Sequence, residues 1–90
     1  MERAIGVEVI SFCGADGAIR PLRFRFRDEE QQIRTVHVTE IVSAKEVEYA
    51  GLAAFSYICR GALAETMRHF ELRYGVKTHQ WTLVRSFTVS

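Results

Sequence analysis

Ninety residues make a single domain, and a chain this short buries only about 60 to 65% of the surface its unfolded form exposes, so its core is thin. Twelve basic against eleven acidic residues give a net charge of +1, which excludes a whole-molecule pull toward nucleic acid or anionic lipid and leaves any such role to a local patch. One proline, six glycines and a 48% hydrophobic share exclude a disordered chain, and no segment approaches the roughly 20 apolar residues of a membrane helix.

Ile5 to Cys13, "IGVEVISFC", is rich in β-branched and aromatic residues and runs into "GADG", a turn whose Asp16 and Gly17 tolerate positive φ. The alternation slips inside this first strand: Val7 and Val9 point one way, Ile10 and Phe12 the other. A bulge near Val9 or burial on both faces accounts for that. The second strand, Ile19 to Arg27, alternates after Pro21, with Leu22, Phe24 and Phe26 expected toward the core and Arg23, Arg25 and Arg27 away from it. "DEEQQ" connects it to "IRTVHVTEIV", a third strand in which Val36, Val38 and Val42 take the inward positions.

The middle reads in two ways. Ser43 and Glu46 have capping-box spacing ahead of good helix formers, which suggests a helical turn over Lys45 to Tyr49. Gly51 and Gly61 would each cost a helix interior about 1 kcal/mol, and Phe55, Tyr57 and Cys59 alternate, so a fourth strand is expected from about Ala53 to Arg60. The other reading makes residues 43–60 a helix packed on a sheet. "RHFELRY" and "WTLVRSF", separated by "GVKTHQ", form a final hairpin with Phe70, Leu72, Tyr74, Trp81 and Leu83 on its core face.

In their order and spacing, the pieces "DGAIRPLRFRFRDEE", "AG", "YIC", "FELRY" and "WTLVR" resemble those of a family of small bacterial proteins with no assigned activity. The resemblance implies a mostly β domain with "YIC" and "FELRY" as strands, and it brings no catalytic residues. "GALAETM", between those two motifs, departs from it. The expected architecture is six-stranded, mainly antiparallel, and curled into a small barrel or roll with one helical turn; an α+β domain is the alternative.

The arginine row is the first candidate site. Arg23, Arg25 and Arg27 recur about 6.5 to 7 Å apart on one strand face, near the spacing of phosphates in an extended single strand. Arg73 would extend the row from a neighbouring strand, with Tyr57 or Phe55 stacking on bases. The competing reading pairs these arginines with Glu8, Glu40 or Glu71 on a solvated face, and the balanced composition favours it.

Other chemistry finds little footing. His37, His69 and His79 share no ligand spacing with Cys13 or Cys59, so no metal or cofactor is expected, and the two cysteines read as buried thiols of a reducing compartment. Glu29 and Glu30 sit in a hydrated connection where nothing separates their pKa values, and no nucleotide, hydrolase or metalloprotease motif is present. The N-terminus mixes charges and lacks the apolar run of a signal peptide. The expectation is a cytoplasmic, non-enzymatic module that binds a protein partner or a second copy and has no membrane role. Single-stranded nucleic acid on the arginine face is the alternative, and a cysteine- or histidine-based enzyme the third.

Overall fold

Two turns with the same sign pattern organise the middle of the chain. Ala50 and Gly51 have φ of 52° and 80°, and Ala64 and Glu65 have φ of 51° and 67°. Positive φ at both central residues is the mark of the tight turn whose twist matches that of the strands it joins. Accordingly Tyr49 lies opposite Leu52, and Leu63 opposite Thr66. The computed structural model describes residues 4–88. They form six strands: β1 (Ile5–Cys13), β2 (Ile19–Arg27), β3 (Ile33–Tyr49), β4 (Leu52–Leu63), β5 (Thr66–Gly75) and β6 (Trp81–Phe87). All pairings are antiparallel and follow chain order, and three residue pairs between β1 and β6 close the barrel.

The helical turn expected over Lys45 to Tyr49 is strand, as is the whole of 43–49; no residue of the alternative helix over 43–60 is helical. Local helix propensity is outweighed because the Ala50-Gly51 turn zips 43–49 against 52–58 and pairs the backbone groups that the two stretches turn toward each other. "GALAETM" is likewise no long connection, since its Ala64-Glu65 pair is the whole turn. The β2–β3 turn is built around one carboxylate. Asp28 Oδ1 accepts the backbone N–H of Glu30 and of Gln32, both at 2.9 Å, while Oδ2 accepts Arg34 Nε at 2.8 Å. Those bonds, Arg34 first, hold the Asp28 carboxyl below its ordinary range.

The core consists of Phe24, Val36, Tyr57, Cys59, Phe70, Leu72, Trp81 and Leu83. Phe24 meets Phe70 edge-on at 5.2 Å, and Trp81 lies 5.5 Å from Tyr57 and 4.9 Å from Tyr74. Bulges in β2 and β3 decide which of their side chains join this core. The ladder steps from Ile10 opposite Arg23 to Ser11 opposite Pro21, leaving Leu22 as the extra residue; Pro21 is buried and Leu22 is 47% exposed instead of inward. In β3, Thr39 and Val42 are extra residues in the same way. The inward set is therefore Val36, Val38 and Ile41, and Val42 is 50% exposed. Cys13, at the end of β1, is exposed rather than buried. Gly61 sits at a close approach of β4 to β3: a Cβ there would lie 2.6 Å from Val36 Cγ1 and 2.7 Å from the His37 carbonyl oxygen.

Candidate functional site: the uncovered edge of β3

β2 and β3 run together only from Arg27 opposite Ile33 to Arg23 opposite His37. Beyond that point β2 pairs only with β1 and β3 only with β4, so among the described residues nothing covers the β2-facing edge of β3 from Val38 to Tyr49. In an antiparallel strand successive residues direct their N–H and C=O alternately to the two sides, so every second residue of this stretch presents an unpaired donor and acceptor outward. Strand stagger in a closed barrel leaves such an overhang wherever neighbouring strands differ in length, and β3 is the longest of the six.

The two sides of the opening are treated differently. On β2, Pro21 has no N–H to offer, and the phenol of Tyr57 donates to the carbonyl of Ile19 at 2.7 Å. That edge is closed to further pairing. On β3, the bulges at Thr39 and Val42 bend the first part of the stretch, and Thr39 Oγ1 donates to the Arg60 carbonyl at 3.1 Å. From Ser43 to Tyr49 the ladder with β4 has no irregularity, so this segment is a straight, open edge.

Cross-strand partners share a face, which assigns its side chains. Ala44 and Glu46 lie opposite the inward-facing Tyr57 and Phe55, and Glu48 follows them toward the barrel mouth. Ser43, Lys45, Val47 and Tyr49 take the outer face. There the Arg73 guanidinium sits 3.7 Å from the centre of the Tyr49 ring, a cation–π contact that fixes the end of the edge. Glu46 and Glu48 are exposed and make no ion pair among the described residues, leaving the barrel side of the edge acidic.

The arginine row is largely engaged. Arg23, Arg25 and Arg27 do share the outer face of β2. Arg25 is ion-paired through Nε with Glu8, its cross-strand neighbour on β1, and this bond holds the Glu8 carboxyl below its ordinary range. Arg27 donates to the Gln31 carbonyl at 3.0 Å. Arg23, flanked by Ile10 and His37, makes no bond among the described residues. Arg73 does not extend the row, because β5 neighbours β4 and β6 while β2 neighbours β1 and β3. Tyr57 and Phe55 point into the barrel and offer no stacking platform on that face. The other two expected carboxylates also hold arginines, Glu40 with Arg60 and Glu71 with Arg85.

The histidines are dispersed: His37 is exposed on β3, His69 stacks on Phe87 at 5.4 Å, and His79 meets the Tyr74 hydroxyl at 2.8 Å. Among the described residues no three metal-ligating side chains come together, and no helix is long and apolar enough to cross a membrane. Burial pushes the Cys59 thiol up to about 12, so it is protonated at neutral pH, and neither cysteine is in a disulfide.

Sequence reasoning missed the edge because 43–49 carries a helix-start pattern. The signal that marks it is the Ala50-Gly51 pair between two stretches whose residues match in length and alternation. No protein-family model matches this chain, and neither does any curated protein or solved structure.

Proposed function

We infer that the protein is a non-enzymatic interaction module that takes up an extended segment of a partner polypeptide as an added strand along Ser43–Tyr49. The observation that carries this reading is the straight stretch of β3 left without a neighbour while the facing edge of β2 is closed by Pro21 and Tyr57. Main-chain hydrogen bonds supply affinity in such a mode, and alternate side chains supply choice. Here the choice favours a segment with a basic residue opposite Glu46. A foreign chain fits better than a second copy, because the two-fold register that uses all of 43–49 sets Glu46 directly against its own copy, and like charges opposite one another destabilise a sheet. Two unpaired cysteines accord with a reducing, cytoplasmic setting.

The test is peptide selection from a random extended library, followed by titration of the selected peptide with Lys45→Pro and Glu46→Pro. Adjacent residues face opposite sides, so one of the two prolines removes an outward N–H and the other interrupts the β3–β4 ladder. The variant that keeps its fold should bind about tenfold more weakly, the equivalent of one lost hydrogen bond with its fit. In the complex, alternate amides of 43–49 should gain protection from solvent exchange. Selected peptides that bind without protecting those amides would count against the reading, as would a dimer formed through this edge in the absence of peptide.

A further inference from the structure

The end of the barrel that carries the Asp28 turn holds a feature the interaction edge does not use. Arg34 and Arg68 both lie on inward-facing positions, Arg34 opposite Phe26 on β2 and Arg68 opposite the buried Gly61 on β4. Both residues line one open depression of about 420 Å³, together with the apolar Phe26 and Leu63. Asp28 is the one carboxylate lining it among the described residues, and its oxygens are committed to Glu30, Gln32 and Arg34. Among the described residues, two cations therefore share this hollow with a single anion.

Each guanidinium is anchored at one nitrogen and open at the others. Arg34 gives Nε to Asp28, and its two terminal nitrogens make no bond among the described residues. Arg68 gives Nη2 to Ser86 Oγ at 3.1 Å and keeps Nε and Nη1 without a described partner. A guanidinium fixed at one corner presents its remaining N–H groups as a planar fork, the geometry that carboxylate and phosphate oxygens accept two at a time. Asp28 adds to this, because its ionised carboxylate, fixed by the turn amides of Glu30 and Gln32, holds Arg34 by Nε. We propose that this mouth of the barrel is a binding site for a small ligand with a carboxylate or phosphate group, the anion between Arg34 and Arg68 and an apolar portion against Phe26 and Leu63.

Amide chemical shifts of the full chain, followed during separate titrations with inorganic phosphate and with butyrate at constant ionic strength, test the proposal. Saturable shifts of the Leu63, Thr66 and Arg68 amides are expected. Arg34→Gln and Arg68→Gln should each weaken the response about tenfold, the scale of one charge-assisted hydrogen bond, while Arg60→Gln on the outer wall should leave it unchanged. Saturation by butyrate alone assigns a carboxylate ligand, by phosphate alone a phosphate ligand, and by both a site that reads the shared anion. If Arg34→Gln unfastens the turn, Arg68→Gln carries the test, since it touches no turn residue. Shifts that stay linear with concentration, or that persist unchanged in Arg68→Gln, overturn the proposal.

Discussion

The hydroxyl of Tyr57, reaching from β4 through the barrel, donates to the carbonyl of Ile19 at 2.7 Å at the point where β2 has left β3. It takes the place of the ladder partner that Ile19 lacks on that side. Tyr57→Phe should therefore cost about 1 to 3 kcal/mol, the penalty for a shielded carbonyl left without a donor, measured by denaturant unfolding. The phenol's pKa is raised, by burial first and then by nearby Cys59 and Tyr74. A raised pKa means the folded state holds the proton more tightly. The associated stability is fully present below the unfolded tyrosine value of about 10 and is lost as pH rises beyond it. The stability difference between wild type and Tyr57→Phe should accordingly shrink above about pH 10, and a difference that is flat with pH would contradict the assignment.

The two cysteines should behave as different species. Cys59 is fully buried and its thiol is pushed up to about 12, whereas Cys13 is exposed. A chromogenic thiol reagent added to the native protein should titrate one thiol promptly and the second only in denaturant. Cys13→Ser should abolish the prompt phase, and a prompt phase that survives would place the reactive sulfur at Cys59.

Gly61 and Gly6 offer a paired test of packing. At Gly61 an added methyl group meets Val36 Cγ1 and the His37 carbonyl inside 3 Å, and the carbonyl is backbone that cannot swing aside. Gly61→Ala should destabilise by about 1 to 3 kcal/mol, as overpacked cores do. Nothing lies within 4 Å of the corresponding position at Gly6, so Gly6→Ala should stay within about 0.5 kcal/mol of wild type. Thermal or denaturant melts of the two variants decide the matter, and equal effects would mean that β3 and β4 are not in this close approach.

Nucleic acid is expected to find little on the arginine face, where Arg25 answers Glu8 and Arg27 answers a turn carbonyl. Fluorescence anisotropy with mixed single-stranded oligonucleotides at low salt should give no saturable signal. A measurable affinity that falls steeply with salt and disappears in Arg23→Glu with Arg25→Glu would restore the row as a binding surface.

The residues whose fate depends only on near neighbours in sequence were legible. Phe70, Leu72 and Tyr74 alternate without interruption and point inward, as do Trp81 and Leu83, and the glycine at 61 correctly spoke against a helix. Glu8 was among the carboxylates expected to meet the arginines, because unbroken alternation at both positions brings charges of opposite sign onto one face. Leu22 and Val42 were misplaced because a bulge is a property of two strands in register, and the extra residue cannot be told from its neighbours until the partner is known. The tight turn at Ala50 was hidden for another reason: alanine is seldom found at positive φ, so "EYAGLA" carried helix former rather than hairpin on its surface. The open edge was only half legible: the Ala50-Gly51 pair marks the hairpin that carries it, but how far β3 outruns β2 is set by the overlap of two strands in the closed barrel. Likewise, Arg34 and Arg68 meet only because the chain returns to one end of the barrel.

The seam that shuts the barrel consists of Ile5 opposite Leu83, Gly6 opposite Thr82 and Val7 opposite Trp81. It joins the first strand to the last, so forming it means closing a loop of nearly the entire chain, whereas every other pairing follows a short turn. In folding, the local hairpins precede it, and closure comes late. In the native state this three-pair seam is the expected place for the barrel to open first. A molecule opened there exposes the margins of β1 and β6 while β2 stays laddered to β3 from Arg23 to Arg27, so that β1 could pair with the β6 of a second molecule instead of its own. At high protein concentration, slow exchange of β1 between barrels is the route by which this fold would become an entwined pair.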